Sequence, residues 1–232
     1  MKDKIQKLMD MTSIPEYIGQ TVETIGWSHK RFIVTKVQRV ENDLLWKKYS
    51  IQRDLMSSRS NKSQEINPKI ETNNEEWGMD LNHLESRVNE SYLFHGTSKY
   101  VSEIIRFQGF DERVANLQGY FGGGVYFAQN CSKSDEYCGQ PPQSDCLMFL
   151  SRVLLGNGYV SLQVQKGLRR PPLMKINNSD GSERNGNELY DCVIGEIKKN
   201  NLEAFLPHYR EFIVYDKNQA YPEFLISYTR SK

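Results

Sequence analysis

Tyr92 to Tyr137 reads YLFHGTSKYVSEIIRFQGFDERVANLQGYFGGGVYFAQNCSKSDEY, and the fold turns on this stretch. A short apolar run delivers His95-Gly96-Thr97. The spacing of Val101, Ile104 and Ile105 predicts a helix that ends near Gly109. Asp111 to Gln118 reads as an exposed polar loop. The glycines Gly122 to Gly124 permit close approach of backbone to a ligand or to another segment. Alternation through Gly124-Val125-Tyr126-Phe127-Ala128 predicts a strand. Two strands in this order can set His95 and Tyr126 side by side. Lys133 to Tyr137 is expected to begin a helix, with Ser132 or Ser134 near its N-cap. A histidine, an aromatic ring and exposed backbone amides suit a planar amide ligand and a ribose.

On the N-terminal side, residues 1–14 have helical spacing at Ile5, Leu8 and Met9 and stop before Pro15. Residues 1–29 read as an extension ahead of a domain over 30–232. Arg31 to Val40 alternates and is β-branched, which predicts a strand. Asn42 is placed to cap a helix whose apolar residues are Leu44, Leu45, Trp46, Tyr49, Ile51 and Leu55. Residues 57–76 are polar and read as a loop, and Leu81 to Val88 as a short helix. On the C-terminal side, Leu147 to Leu155 predicts a buried strand closed by Gly156-Asn157-Gly158. Pro171-Pro172 and Asn177 to Asn187 mark loops. Strands are expected over Leu189–Ile194, Glu211–Tyr215 and Tyr221–Tyr228, with a turn at Asp216–Ala220. The sum is an α+β fold: a mostly antiparallel split β-sheet with flanking helices.

The chain has 232 residues and a net charge of +1, a balance that gives no support to nucleic-acid or membrane binding. No apolar run approaches the roughly 18 residues of a membrane span, and MKDKIQKLMDMTSI lacks the apolar core of a signal peptide. An intracellular home, cytoplasmic or nuclear, is expected. The four cysteines, Cys131, Cys138, Cys146 and Cys192, form no CxxC and read as reduced thiols.

Four pieces in order, HGT (95–97), GVYFAQN-x-SKS-x-x-Y (124–137), REFIVYD (210–216) and QAYPEFLISY (219–228), resemble the catalytic domain of the poly(ADP-ribose) polymerase family, the diphtheria-toxin-like ADP-ribosyltransferases. The resemblance covers about residues 30–230. The loop GFDERVANLQGYFGGGVYF looks most like the tankyrase branch. GLRRPP and LYDCV look more like the macrodomain-containing, mono-ADP-ribosylating members, which usually lack the family's glutamate. Tankyrases carry a small zinc knot after the segment matching Tyr137. Here Cys138 to Cys146 offers two thiols and no histidine, so no metal is expected.

The resemblance implies NAD+ as co-substrate, cleavage of its nicotinamide–ribose bond, and transfer of ADP-ribose to protein acceptors, with the chain itself among the candidates. It implies a catalytic triad of His95, Tyr126 and Glu211. His95 matches the histidine that hydrogen-bonds the adenosine ribose, and Gly96 the backbone that clamps the nicotinamide carboxamide. Ser134 matches the hydroxyl completing that clamp, Tyr137 the stacking ring, and Tyr126 the opposite wall. Lys133 is a charge near the ribose. Thr97, Asp111 of the donor loop (Asp111 to Gln118), Tyr120, Phe127 and Ala128 complete the implied NAD-binding set. Glu211 matches the glutamate that stabilises the oxocarbenium-like transition state, where a nearby carboxylate is chemically expected. Glu223 is its local competitor and reads as scaffold.

Because Glu211 is present, elongation to poly(ADP-ribose) is the expected product. Single-unit transfer is the alternative, as is an inactive ADP-ribose or NAD-binding module. The acceptor side is placed within Asn177–Asn187 and Asn200–Tyr209. A dehydrogenase is disfavoured because GYFGGG (119–124) misses the GxGxxG spacing and leads into a strand. Modification of nucleic-acid ends gains nothing from the charge balance. The oligomeric state is not legible.

Overall fold

The computed structural model describes residues 1–21, 23–59, 63–140, 145–177, 182–196 and 209–232. Helix α1 (Lys2–Thr12) turns Ile5, Leu8 and Met9 inward to full burial. Each such side chain contributes about 1.5–3 kcal/mol of burial, so the front of the chain is docked on the sheet. Strand β1 (Arg31–Arg39) buries Phe32 and Val34 on one face. Helix α2 (Asp43–Ser57) starts where Asn42 accepts a hydrogen bond from the Leu45 amide at 3.2 Å.

Strand β2 (Glu90–Gly96) is followed by α3 (Lys99–Gln108), which Ser98 caps and Gly109 ends at φ 81°. Next come β3 (Val125–Ala128), the short α4 (Cys131–Asp135) and β4 (Cys146–Leu154). The chain continues through β5 (Gly158–Ser161), β6 (Leu173–Asn177), β7 (Glu183–Leu189) and β8 (Cys192–Gly195). It closes with β9 (Glu211–Val214) and β10 (Ala220–Ser231).

Eight strands form one sheet in the order β1-β10-β4-β2-β3-β9-β8-β5, and β6 and β7 pair separately. Every neighbour in the large sheet is antiparallel except β5–β8. The sheet is split in the middle. Strands β2 and β4 pair along seven residues, from Glu90↔Leu154 to Gly96↔Met148. Strands β2 and β3 meet at the single pair Phe94↔Ala128, so the ladder is open beyond it, and this break is the candidate cleft.

Strands β2 and β4 are buried on both faces, which explains their nearly unbroken apolar runs. Leu93, Phe149 and Val153 face one core with Ile105 of α3 and Phe110. Tyr92, Phe94, Met148 and Leu150 face the other with Ile5, Leu8 and Met9 of α1.

Several expectations are corrected. The helix expected over Leu81–Val88 is only a 3-10 turn at Ser86–Val88. In α2 the apolar residues do not share the buried face. Leu44, Ile51 and Leu55 are exposed, while Tyr49 and Met56 are buried. Aromatic packing of Trp46 and Tyr49 on Tyr221, at 5.1 and 6.0 Å, sets the rotation. Asn177–Asn187, expected as a loop, falls largely into the β6–β7 hairpin, apart from residues 178–181, which are not described. That hairpin is mostly exposed and polar, so no apolar alternation marks it. Strand β5 was likewise unmarked. The expected loop over 57–76 holds the 3-10 turn Glu71–Asn73 and runs into a second, Glu75–Trp77, with Ile70 and Trp77 buried. The Pro141-Pro142 stop and residues 200–208 of the expected acceptor side lie outside the described residues.

Candidate active site

His95 is the penultimate residue of β2, beside the break between β2 and β3. Its Nδ1 lies 2.8 Å from the carbonyl oxygen of Tyr126 on β3. A carbonyl only accepts, so Nδ1 carries the proton and Nε2 is left as the ring's acceptor. Burial lowers the pKa and the bond to Tyr126 only partly opposes this, so the ring stays neutral at pH 7. Phe110 and Phe127 pack on the ring at 5.0 and 5.5 Å between centroids. A neutral imidazole oriented this way can accept a hydrogen bond from a hydroxyl such as that of a ribose.

Gly96 continues β2 past α4. A Cβ there would sit 1.7 Å from the Ser134 carbonyl oxygen and 3.1 Å from Cys138 Sγ. No side chain fits, so strand backbone and helix backbone come together at a distance only glycine permits. Thr97 follows, largely buried, and its backbone bonds the Cys138 thiol.

Helix α4 carries Lys133 and Ser134 and leads to Tyr137. Its N-cap is Asn130, not Ser132 or Ser134 as expected. The Ser132 hydroxyl instead accepts from the Ile14 amide at 3.1 Å, which ties the front of the chain to α4. Asp135 anchors the helix: it takes bonds from Tyr228 Oη at 2.5 Å and Arg230 Nε at 2.9 Å, with His29 Nε2 at 3.0 Å. Ser134 is buried. Tyr137 is 51% exposed, so a ring face is open to stacking, and Lys133 Nζ sits 5.2 Å from its centroid.

Tyr126 is used differently from its simplest reading. Its hydroxyl accepts from the Phe121 amide and donates to the Gly122 carbonyl, both at 2.9 Å. The hydroxyl therefore fastens the glycine loop, and the ring and backbone are what the residue offers the cleft.

Glu211 opens β9, paired with Ala128 of β3 and Gly195 of β8. Burial raises its pKa, while Lys133, 3.9 Å away, pulls it down. That separation is an ion pair without a hydrogen bond.

The structure thus gathers His95, Gly96, Tyr126, Lys133, Ser134, Tyr137 and Glu211 where the sheet divides. Other residues of the implied set stand elsewhere. Phe127 points into the core, 2% exposed, and Ala128 serves as the strand-pairing position between Phe94 and Glu211. Asp111 caps the turn Glu112–Val114 and is gripped by Arg113 at 2.8 and 2.6 Å. That grip, with the loop exposed, holds the Asp111 carboxyl at about 2. Tyr120 accepts through its carbonyl from the Gln165 amide at 2.6 Å.

Glu136, which sequence reasoning passed over, and Tyr209, expected only as the end of the acceptor side, flank Lys133. Glu136 Oε2 is 2.7 Å from its Nζ, and the Tyr209 ring centroid is 6.0 Å away. Glu136 lies inside SKSDEY, but nothing in that string shows that its side chain turns inward. Among the described residues, no group of three or more His, Cys, Asp or Glu side chains is placed to hold a metal ion, and no helix is long and apolar enough to cross a membrane.

With this geometry in place, the comparisons with known proteins agree on a class. Residues 9–230 match the family model described as the poly(ADP-ribose) polymerase catalytic domain. The chain belongs to that family. It is 29% identical over 201 residues to the protein mono-ADP-ribosyltransferase PARP12 of Mus musculus, covering 86% of this chain and 22% of that protein. It is 33% identical over 162 residues to the protein mono-ADP-ribosyltransferase PARP11 of Homo sapiens, covering 61% and 42%. It is 30% identical over 201 residues to a probable poly(ADP-ribose) polymerase of Dictyostelium discoideum, covering 85% and 44%. The chain therefore spans between about a fifth and just under half of these relatives' lengths.

Proposed function

We propose that the chain is an NAD+-dependent ADP-ribosyltransferase that places single ADP-ribose units on protein acceptors, itself among the candidates. The observation that carries this is Glu211. It is a nearly buried carboxylate, held near an ammonium yet not hydrogen-bonded to it, at the mouth of the cleft that His95 and Gly96 border. A carboxylate so placed stabilises positive charge developing on a ribose as its nicotinamide departs, and it can orient an incoming nucleophile. The Gly96 backbone offers an N–H and a C=O to a planar carboxamide, the Tyr137 face offers stacking, and His95 Nε2 accepts from a ribose hydroxyl.

Single-unit transfer is preferred over elongation because two of the relatives above are named mono-ADP-ribosyltransferases. The expectation of polymer drawn from Glu211 alone has weaker support, in the name of the Dictyostelium relative. An intracellular setting agrees with four buried cysteines that form no disulfide. Incubation with labelled NAD+ and separation of products by size tests the reading. A single labelled band is expected. A ladder that a poly(ADP-ribose)-cleaving enzyme removes would establish elongation instead, and no label at all would overturn transferase activity.

A further inference from the structure

Glu136 is a buried carboxylate that the reaction described above does not use. It is 6% exposed and follows directly on α4. Lys133 Nζ lies 2.7 Å from Glu136 Oε2 and 3.9 Å from Glu211 Oε1. One ammonium thus stands between two carboxylates, hydrogen-bonded to one and outside hydrogen-bonding range of the other.

The surroundings are crowded with charge. Burial raises the pKa of both Glu136 and Glu211, and Lys133 opposes the rise in each. Burial works against the lysine's own charge, but Glu211, Tyr137 and Glu136 together outweigh it. Glu23, from the segment ahead of β1, adds repulsion to both carboxylates and to Tyr137. Tyr137 and Tyr209 flank the ammonium, and the nearby Thr21 hydroxyl, bonded to Thr24 Oγ1 at 2.7 Å, helps to lower the Glu136 pKa.

We propose that Glu136 is a positioning residue: by hydrogen-bonding Lys133 it keeps the ammonium from closing on Glu211, and so leaves the Glu211 carboxylate open to substrate hydroxyls. This rests on the transferase reading above. The physical argument is competition for one cation. If Glu136 loses its charge, Lys133 has a single carboxylate left and moves to it. Glu211 then loses a repulsive neighbour and gains a close attractive one, so it ionises at lower pH. It also becomes tied in a charge-assisted hydrogen bond that a ribose hydroxyl must displace.

The test is Glu136→Gln. A carbon-13 NMR titration of glutamate carboxyls reads Glu211 directly, with its signal assigned by its loss in Glu211→Gln. The expected result is a Glu211 midpoint about one unit lower in Glu136→Gln. The acid limb of kcat should move down with it. At the plateau kcat should fall on the order of tenfold, with KM for NAD+ changing less, which is what a competing hydrogen bond to a charged group produces. Glu136→Asp keeps the charge on a shorter arm and should lie between wild type and Glu136→Gln. If Glu136→Gln does not fold, Glu136→Asp decides alone by a smaller downward shift.

Thr21→Val removes the neighbouring hydroxyl that lowers the Glu136 pKa and should leave both midpoint and plateau of Glu211 in place. An unmoved or raised Glu211 midpoint overturns the proposal, as does Thr21→Val reproducing the Glu136→Gln profile. The NMR titration needs no turnover. A shifted midpoint in a chain that never transfers ADP-ribose sinks the activity and keeps the positioning role, and transfer with an unmoved midpoint does the reverse.

Discussion

Glu211 and Glu223 are both buried strand glutamates near the C-terminal end, and they are partnered in opposite ways. Glu223 sits on β10, 3% exposed. It accepts from Tyr92 Oη at 2.8 Å and pairs closely with Arg152 Nε, while Arg39 reaches it at 3.6 Å. Arg152 also pairs with Glu90, which in turn accepts from Tyr49 Oη at 2.7 Å. This is a closed network in which each carboxylate has an arginine and a phenol. Glu211 has Lys133 at 3.9 Å, and the lysine is engaged more closely by Glu136. A buried charge with its lone pairs taken fixes structure. A buried charge with lone pairs to spare is costly to fold, and is tolerated where a ligand will complete it.

The largest effect should come from breaking the closed side. Glu223→Ala takes from Arg152 its closest carboxylate, leaving only the longer contact to Glu90, and should cost about 3–5 kcal/mol. Chemical denaturation measures it, and an unchanged midpoint would remove Glu223 from the scaffold.

Glu211→Gln should do the reverse. Losing one preorganised electrostatic group lowers turnover on the order of 10² to 10³, while the melting temperature holds or rises. Labelled-NAD+ transfer at the wild-type rate would show that the two glutamates have been assigned the wrong way round.

Gly96→Ala tests the cleft that makes Glu211 useful. Its Cβ would meet a backbone carbonyl, and overpacking of this kind costs about 1–3 kcal/mol. A benzamide-like compound at 100 times its dissociation constant should stabilise the wild type by about 2.7 kcal/mol and should not stabilise the variant. An equal shift in both would mean that the amide pocket is elsewhere.

The smallest effect is a pH dependence. Glu211 has its folded pKa raised above 4.5, chiefly by burial. The folded state therefore holds this proton more tightly than the unfolded chain. The stability it contributes is present below about pH 4.5 and is lost as pH rises through the folded pKa. Melting curves of wild type and Glu211→Gln should diverge across that window, with the variant gaining relative to wild type. A gap that is constant with pH would mean that Glu211 is solvated.

Much of the fold could be read directly from sequence. Strands β1, β4, β9 and β10 are visible because one or both faces are apolar, and α3 because Gly109 ends it at a positive φ. What escaped had a common cause. The β6–β7 hairpin buries little, so no periodicity betrays it. The buried face of α2 was misread because apolar residues occur around the helix and only contact with Tyr221 selects among them. Docking of α1 depends on the sheet it meets, which residues 1–14 do not encode.

The sequence alone determined the class of the protein. HGT, SKS-x-x-Y and the REFIVYD strand are local strings whose residue types survive reading in one dimension. It also pointed to His95, Gly96 and both glutamates. Tertiary structure decided which glutamate is satisfied and which is held open, that the Tyr126 hydroxyl fastens a loop, and that Glu136 shares the lysine. The reason is physical. Periodicity reports which side of an element meets apolar surroundings. The charge state and freedom of a buried carboxylate depend on cations and donors brought from distant strands and helices, and those distances exist only after the sheet has split and closed around them.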